Sequence, residues 1–192
     1  IYPLMLFLTA ETVIQIALPD LHVTWLCVTL LSVLYFTYCS EMWNQLDALT
    51  GLLNQNSYLN RTAEMSRSGG LLIVFDVDNF KQVNDCYGHL QGDACLAAIA
   101  ACLKKAYACC GYCYRIGGDE FCVLLKNTAK EAACAEEFLR QLEKKRRELT
   151  FLPTVSCGSA PLSGEDVVAV KDQADRAMYH HKKARKEREA AK

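Results

Sequence analysis

The fold of this chain is decided by the stretch Arg115-Ile116-Gly117-Gly118-Asp119-Glu120-Phe121. The glycine pair separates an alternating apolar segment (112–116) from a second strand-like run (121–125). Two adjacent glycines between strands are typical of a tight hairpin, because glycine accepts the positive φ angles of such turns. They also let the backbone approach a bulky ligand closely. The carboxylates that follow can hold a divalent metal ion over a phosphate, so the stretch predicts a nucleotide site.

Helical and strand-like patterns alternate on both sides of this hairpin. A continuous apolar run at 71–77 predicts a buried central strand, and a second strand is predicted at 154–160. Apolar spacing predicts helices at 54–67, 79–87, 91–107, 128–149 and 165–183. This order predicts an α/β (α+β) domain with helices packed on a central sheet, close to the ferredoxin-like split βαβ plan.

The N-terminal segment differs in composition from the rest of the chain. Residues 21–39 carry no formal charge and could span about 30 Å of hydrocarbon as a helix. A first apolar run at 1–18 contains Glu11, and Pro19-Asp20 predicts a turn between the two runs. We expect a transmembrane helical hairpin over 1–39, with Trp25, Tyr35 and Tyr38 as interfacial aromatics. A buried helical hairpin of a soluble protein is the alternative.

Residues 40–48 follow this segment and predict a linker or signalling helix. Their apolar positions recur at three- and four-residue spacing, at Met42, Trp43 and Leu46, with Leu49 next in the series. Pairing of two copies and a solvated linker both fit so short a pattern. Because the chain begins with Ile1 rather than Met, we expect a longer protein with further segments upstream.

Charge and cysteine content exclude some classes of protein. All 21 basic residues and 18 of the 22 acidic residues lie in 61–192, which makes this part mildly basic. No basic stripe with interleaved aromatic residues occurs, which argues against a nucleic-acid partner. The 11 cysteines occupy positions typical of Ala or Val, so we interpret Cys95, Cys102, Cys122 and Cys157 as reduced core residues.

A thiolate metal site is an alternative interpretation of the cysteine-rich segment 109–113. Cys109, Cys110 and Cys113 could supply thiolates. No second Cys or His pair with zinc-like spacing accompanies them, so the sequence disfavours such a site.

Polar side chains follow the predicted central strand where it ends. Asp76 lies within the apolar run, and a buried carboxylate is costly unless it is paired or bound to a metal. Asp78 precedes a predicted helix and could be only a helix cap. If this strand neighbours the hairpin, Asp76 should lie near Asp119 and Glu120. Lys81 comes next in the sequence. It is interpreted either as a solvated helix residue or as a residue that binds phosphate.

A second polar cluster surrounds a helix break at Cys86-Tyr87-Gly88. It contains Asn84, His89 and Asp93, together with Asp85. An Asn amide and a carboxylate can together recognise guanine. Each residue alone is also a common cap or turn residue.

Residues 47–186 resemble the GGDEF domain of diguanylate cyclases. The matching segments occur in the family's order: 47–54 (DALTGLLN), 75–85 (FDVDNFKQVND), 88–93 (GHLQGD), 115–121 (RIGGDEF), 155–158 (VSCG) and 174–179 (ADRAMY). The resemblance implies a nucleotidyl-cyclase-like fold and a catalytic domain over 47–187. Residues 188–192 are interpreted as a charged tail.

The resemblance also implies a role for each matching residue. Asp76, the carbonyl of Val77, Asp119 and Glu120 would hold Mg²⁺, with Mn²⁺ as an alternative. Asp119 would also be the general base for the ribose 3′-hydroxyl, with Glu120 as a further catalytic residue. Lys81 would stabilise charge on the phosphates during transfer. The implied nucleotide-binding residues are Phe80, Asn84, His89, Asp93, Gly117, Gly118, Lys182 and Lys186.

The implied function is the condensation of two GTP molecules into cyclic di-GMP with release of two pyrophosphates. One domain holds one GTP, so turnover would require a homodimer. We expect attachment to the inner (cytoplasmic) membrane through 1–39, with the catalytic domain in the cytoplasm. The alternative is a catalytically silent, GTP-binding regulatory domain that relays a membrane signal.

The chain departs from the family pattern in three places. Residues 108–111 (ACCG) replace the R-x-x-D product-binding motif, so we expect no product inhibition there. Gln55 and Asn56 replace the usual arginines after the entry asparagine. In the last helix Arg185 and Lys186 replace glycine and arginine; lysine loses the bidentate geometry of arginine, which predicts weaker GTP binding.

Overall fold

The computed structural model describes residues 9–10, 13, 16–17, 23–43, 45–164 and 166–190. The chain divides into two compact units, Ile1–Asn44 and Gln45–Lys192. The second unit begins at Gln45, two residues before the domain start predicted at residue 47.

The first unit contains helix α1, Val23–Trp43. Within the described residues of the chain, no helix combines the length and apolar character needed to cross a membrane. The transmembrane hairpin over 1–39 stays a prediction. Much of the first predicted span lies outside the described residues.

The linker helix predicted over 40–48 was wrong at its C-terminal end. Helix α1 ends at Trp43, and residues 45–50 form turns and an isolated bridge between Leu46 and Leu53. Local hydrogen bonds close this turn: the amide of Gly51 donates to the Asp47 carbonyl (2.9 Å), and the amide of Asn54 donates to the Gln45 carbonyl (2.8 Å). The Gln45 carbonyl is thus bonded to Asn54, whereas in a continuing helix it would accept from the amide four residues further on.

The second unit alternates helices and strands in the predicted order. Its described elements are α2 (Gln55–Ser68), β1 (Gly70–Val77), α3 (Phe80–Tyr87), α4 (His89–Tyr107), β2 (Gly111–Arg115), β3 (Glu120–Leu125), α5 (Glu131–Glu148), β4 (Val155–Leu162) and α6 (Val167–Ala190). A 3₁₀ turn at Thr128–Lys130 precedes α5. The side chain of Asn54 caps α2 by accepting a hydrogen bond from the amide of Ser57.

The four strands form one antiparallel sheet in the order β2-β3-β1-β4. This is the split βαβ order, so the predicted α+β fold with a helix-flanked sheet is confirmed. Strand β1 is interior and pairs on one side with the hairpin strand β3, as the central apolar run predicted. The last pairs of this register bring Asp76 opposite Glu120 in β3 and opposite Ser156 in β4.

Each face of the sheet is covered by its own hydrophobic core. Alternate residues of β1, such as Phe75, pack with α4 and α5, where Tyr107 and Phe138 make edge-on ring contacts with Phe75. The opposite face packs with α2 and α6 through Tyr58, Val170 and their neighbours. The two-residue period of the strand therefore assigns odd and even positions of β1 to different helix layers.

Helix α6 lies directly against β4 at Gly158. A Cβ atom there would overlap the backbone nitrogen of Met178 and the carbonyl oxygen of Ala174. This close approach needs glycine on the strand and fixes the position of α6 on the sheet. Lys182 lies one helical turn after Met178, so the same contact positions a side chain of the candidate site.

Cysteines mostly occupy the core, as predicted. Cys95, Cys102 and Cys122 are buried free thiols, whereas Cys157 is only partly buried. Across the described part of the chain, no group of three Cys, His, Asp or Glu side chains is arranged to hold a metal ion.

Candidate active site

The glycine pair lies in the hairpin loop between β2 and β3, as predicted. Glycine at 117 provides space there rather than a positive φ angle. The amide of Ile116 donates to the carbonyl of Glu120 (3.0 Å) and closes the loop. Neither Gly117 nor Gly118 has a positive φ, so that part of the prediction was wrong. A Cβ at Gly117 would lie 3.3 Å from Glu120 Oε2, whereas a Cβ at Gly118 would meet open space. Glycine at 117 thus leaves room for the Glu120 carboxylate.

The central strand and the hairpin bring two predicted carboxylates together. Asp76 of β1 is the cross-strand partner of Glu120 at the start of β3. Directly opposite residues project from the same face of a sheet, with Cβ atoms about 5 Å apart. The amide of Val77 donates to the carbonyl of Asp119 (3.2 Å), which ties the end of β1 to the loop. Asp76 and Asp119 are partly buried, and Glu120 is exposed.

A cation from the last helix reaches the same place. Lys182 of α6 forms an ion pair with Asp76, and its Nζ lies 3.5 Å from Asp78 Oδ1. Partial burial would lower the pKa of the Lys182 ammonium, but the two carboxylates outweigh it and raise this pKa above its ordinary value. Lys182 is therefore a charged group at physiological pH.

Asp78 is the most buried carboxylate of this group. Its side chain is 2% exposed, and it accepts hydrogen bonds from the hydroxyls of Thr154 (2.8 Å) and Ser156 (2.9 Å). The amide of Asp78 also donates to the carbonyl of Thr154 (2.9 Å). The helix-cap alternative for Asp78 is wrong, because Asn79 occupies the N-cap position of α3 with φ 54°. Asp78 instead joins β1, β4 and Lys182.

The loop is also tied to the start of the domain. Both Asp47 oxygens accept hydrogen bonds from Arg115 Nη1 (3.1 and 3.2 Å), and Arg115 Nη2 donates to the carbonyl of Gly118 (2.8 Å). Asp47 also accepts from the amide and the hydroxyl of Thr50. Burial alone would raise the pKa of Asp47, but the bonds from Thr50 and Arg115 lower it below its usual range.

The residues predicted to contact guanine lie on the other face of the sheet. Asn84 of α3 packs against Gly92 of α4, where a Cβ would overlap Asn84 Oδ1 and lie 3.3 Å from Phe80 Cζ. Glycine at 92 therefore provides the space that the Asn84 amide occupies. His89 and Asp93 are exposed one turn apart on α4, and Lys81 is exposed on α3.

The predicted residues thus form two groups at one end of the sheet. Asp76, Glu120 and Lys182 meet on the face that α6 covers, and Asn84 meets Gly92 and Phe80 between α3 and α4. Lys186 lies on α6, and its side chain is outside the part of the chain that the structure describes.

Comparison with known proteins identifies the family of this arrangement. The model of the family described as diguanylate cyclase, GGDEF domain, matches residues 44–188. The chain belongs to the GGDEF domain family. A similar relative is the diguanylate cyclase DgcP of Pseudomonas aeruginosa, 38% identical over 160 residues, which are 74% of this chain and 23% of that protein. The chain thus spans less than a quarter of the length of this relative.

Two further relatives show the range of this family. The cyclic di-GMP phosphodiesterase PdeR of Escherichia coli is 36% identical over 149 residues, 69% of this chain and 22% of that protein. A crystal structure of the coiled coil and GGDEF domain of DgcB from Caulobacter crescentus in complex with c-di-GMP matches with a TM-score of 0.70 and 25% identity. That match covers 84% of this chain and 94% of that chain. Membership of the GGDEF family is therefore compatible with more than one named activity.

The donor set of this GGDEF domain fits Mg²⁺ in chemical terms. Mg²⁺ is a hard cation that proteins commonly hold through one or two carboxylates, with substrate phosphates and water completing its shell. The paired residues Asp76 and Glu120 offer such oxygens on adjacent strands. The ion pair of Lys182 with Asp76 shows that this position already accommodates a positive charge.

Two features of this GGDEF domain were missed by reasoning from sequence. One is the buried role of Asp78, and the other is the Asp47–Arg115 pair. The spacing of Asp47 and Thr50 is a recognisable turn signal. No local pattern indicates that Arg115, 68 residues away, is the partner of this turn.

Proposed function

We propose that this chain is a diguanylate cyclase domain that joins two GTP molecules into cyclic di-GMP and releases two pyrophosphates. The observation that carries the proposal is the cross-strand pair of Asp76 and Glu120 beside the Gly117-Gly118 loop, with Lys182 at the same point. Carboxylates next to a fixed ammonium and an open glycine loop suit a nucleoside triphosphate and its metal ion.

Each step of the proposed reaction is an in-line displacement at phosphorus. The 3′-oxygen of one GTP forms a bond to the α-phosphorus of the other, and the bond from that phosphorus to the β-phosphate bridging oxygen breaks. Asp119 accepts the proton of the 3′-hydroxyl, and pyrophosphate carries away the electron pair. Lys81 and Lys182 bind phosphate oxygens, while Asn84 and Asp93 contact guanine.

The proposed cofactor is Mg²⁺, with Mn²⁺ as a substitute. Asp76, the carbonyl of Val77, Asp119 and Glu120 would hold it. When bound, Mg²⁺ supplies Lewis-acid stabilisation of charge on the phosphates. The Val77–Asp119 backbone bond supports this assignment, because it holds the two contributing segments together.

The proposed active unit is a homodimer, because two GTP molecules must face each other. Helix α1 offers a means of association, since Leu34, Phe36 and Tyr38 are exposed apolar side chains. Placement of the catalytic domain at the inner face of a cytoplasmic membrane remains a prediction from the composition of residues 1–39.

A direct experiment is incubation of the purified full chain with GTP and Mg²⁺ over a range of protein concentrations. We expect cyclic di-GMP and pyrophosphate in a 1:2 ratio, with a rate per chain that rises with protein concentration. Glu120→Gln should remove product formation, whereas the matched control Glu136→Gln, on the exposed side of α5, should not. Binding of GTP without any product at all concentrations would contradict the cyclase proposal.

The second candidate function is a GTP-binding regulatory domain without turnover. The similarity to PdeR, a protein named as a phosphodiesterase, favours keeping this candidate. The experiment separates the two functions. A regulatory domain would bind GTP and leave it intact at every protein concentration, whereas a cyclase would convert it.

A further inference from the structure

Two cysteines of the second unit approach each other more closely than their positions in the sequence suggest. The Sγ atoms of Cys110 and Cys134 are 2.9 Å apart, and both residues are free thiols. Cys110 immediately precedes β2, and Cys134 lies in the first turn of α5. A disulfide has an S–S distance of about 2.05 Å, so bond formation requires the sulfur atoms to move closer by about 0.9 Å.

The pair is accessible from one side only. Cys134 is 5% exposed, whereas Cys110 is partly buried and lines an open cavity of about 410 Å³. Lys126 and Lys130 line the same cavity. Cys109 is exposed, with its Sγ 3.7 Å from that of Cys110. Small oxidants and reductants can therefore reach Cys110 from solvent. The buried thiol of Cys134 is then in position to react with Cys110.

The surroundings also predict a slow reaction. Burial, together with the hydrogen bonds to Cys134 and Cys109, raises the pKa of the Cys110 thiol to about 12. The thiolate is the reactive form, so few molecules are reactive at any moment near neutral pH. The pair should stay reduced under mild conditions and oxidise under sustained treatment.

We propose that Cys110 and Cys134 are a site of reversible disulfide formation. Two S–H bonds break and one S–S bond forms, with loss of two protons and two electrons. Hydrogen peroxide accepts these and becomes two molecules of water. A dithiol reverses the reaction by thiol–disulfide exchange and is itself oxidised to a cyclic disulfide.

The cross-link would enclose the whole β2–β3 hairpin. The loop from 110 to 134 contains both hairpin strands and the Gly117-Gly118 turn. The cross-link lies at the open end of the hairpin, since Gly111 pairs with Leu125 there, whereas the turn and Glu120 lie at the other end. We therefore expect oxidation to stabilise the domain by restricting its unfolded state, with GTP binding retained.

The test treats the full chain with hydrogen peroxide at pH 8 for several hours, followed by catalase. Peptide mapping should find Cys110 joined to Cys134 in a cross-linked peptide about 2 Da lighter than the two free peptides together, with recovery of both thiols in dithiothreitol. The melting temperature should rise by about 5 °C or more. Cys134→Ser and Cys110→Ser should abolish the rise, whereas Cys109→Ser and the exposed control Cys86→Ser should keep it.

Two results would overturn the proposal. One is a cross-link mapped to Cys109 and Cys110 or between two chains. The other is an unchanged Cys110–Cys134 pair in a sample in which the exposed Cys86 has been oxidised, since that oxidation proves the treatment effective. Peptide mapping of the oxidised wild-type chain decides between these outcomes even if a serine variant does not fold. The readouts do not involve GTP turnover, so failure of the cyclase proposal would leave them unaffected.

Discussion

Arg115 forms a two-pronged ion pair with Asp47 and at the same time donates to the carbonyl of Gly118. One guanidinium thus joins the turn at the start of the domain to the loop between β2 and β3. Its side chain is 15% exposed and that of Asp47 is 24% exposed, so solvent weakens the pair only in part. Arg115, the last residue of β2, therefore holds the Gly118 loop in place.

The first prediction concerns this pair. Arg115→Lys keeps the charge but loses the fork that reaches two oxygens of Asp47 and the Gly118 carbonyl. We expect a loss of about 1–2 kcal/mol in the free energy of unfolding and weaker GTP binding. Urea denaturation and nucleotide titration measure the two effects. The exposed Arg140→Lys on α5 is the matched control, and equal behaviour of both variants would contradict the assigned role.

The second prediction is the pH dependence of the same pair. The folded pKa of Asp47 is lowered, so the unfolded chain takes up a proton first as pH falls. The stability from this carboxylate is thus fully present above the ordinary Asp pKa of about 3.9 and is lost as pH falls through the lowered value. The stability difference between wild type and Asp47→Asn should be constant from about pH 7 to 5 and shrink below about pH 4. A difference that does not shrink on acidification would contradict the assigned role of the Asp47 carboxylate.

The third prediction concerns Asp78. Asp78→Ala leaves the hydroxyls of Thr154 and Ser156 without their acceptor and removes a carboxylate near Lys182. We expect a loss of about 2–4 kcal/mol in the free energy of unfolding, measured by urea denaturation. Asp78→Asn keeps the shape and should lose less. The exposed Asp172→Ala on α6 serves as control, and a similar cost there would argue against a special role for Asp78.

The fourth prediction tests the contact between α3 and α4. Gly92→Ala should displace the Asn84 amide, because the added Cβ would occupy the place of Asn84 Oδ1. We expect about tenfold weaker GTP binding with near-normal stability, since alanine favours helix formation by about 1 kcal/mol relative to glycine. Fluorescence titration with a labelled GTP measures the affinity. Ala94→Ser, exposed on the same helix, should bind normally; unchanged affinity in Gly92→Ala would exclude guanine recognition through Asn84.

The fifth prediction uses the ion pair between Lys182 and Asp76. Lys182→Gln removes a cation that neutralises Asp76, so without nucleotide Mn²⁺ should bind more tightly. GTP should bind about tenfold more weakly, because a phosphate partner is lost. Calorimetric titrations with Mn²⁺ and with GTP follow these opposite changes. Lys183→Gln, two-thirds exposed, is the matched control, and parallel changes in both affinities would refute competition at Asp76.

The sequence by itself determined the class of fold and the order of its elements. A continuous apolar run gave the interior strand at Gly70–Val77. Three- to four-residue spacing gave the helix ends within about three positions, except that α6 continues to Ala190, beyond its predicted end at residue 183. These signals are local, because periodicity reflects which face of one element is buried. The glycine hairpin was predicted from its own residues, whereas the proximity of Asp76 and Glu120 was predicted only on the condition that the central strand neighbours the hairpin.

Tertiary structure alone decided which distant groups meet. The sequence could not give the partners Asp47 and Arg115, Lys182 and Asp76, or Cys110 and Cys134, because each pair is brought together by sheet register and helix packing rather than by local spacing. It also misjudged Asp78, whose burial depends on β4. The end of α1 at Trp43 was missed for the same reason, since Leu53, the bridge partner of Leu46, in turn bridges to Tyr114 of β2.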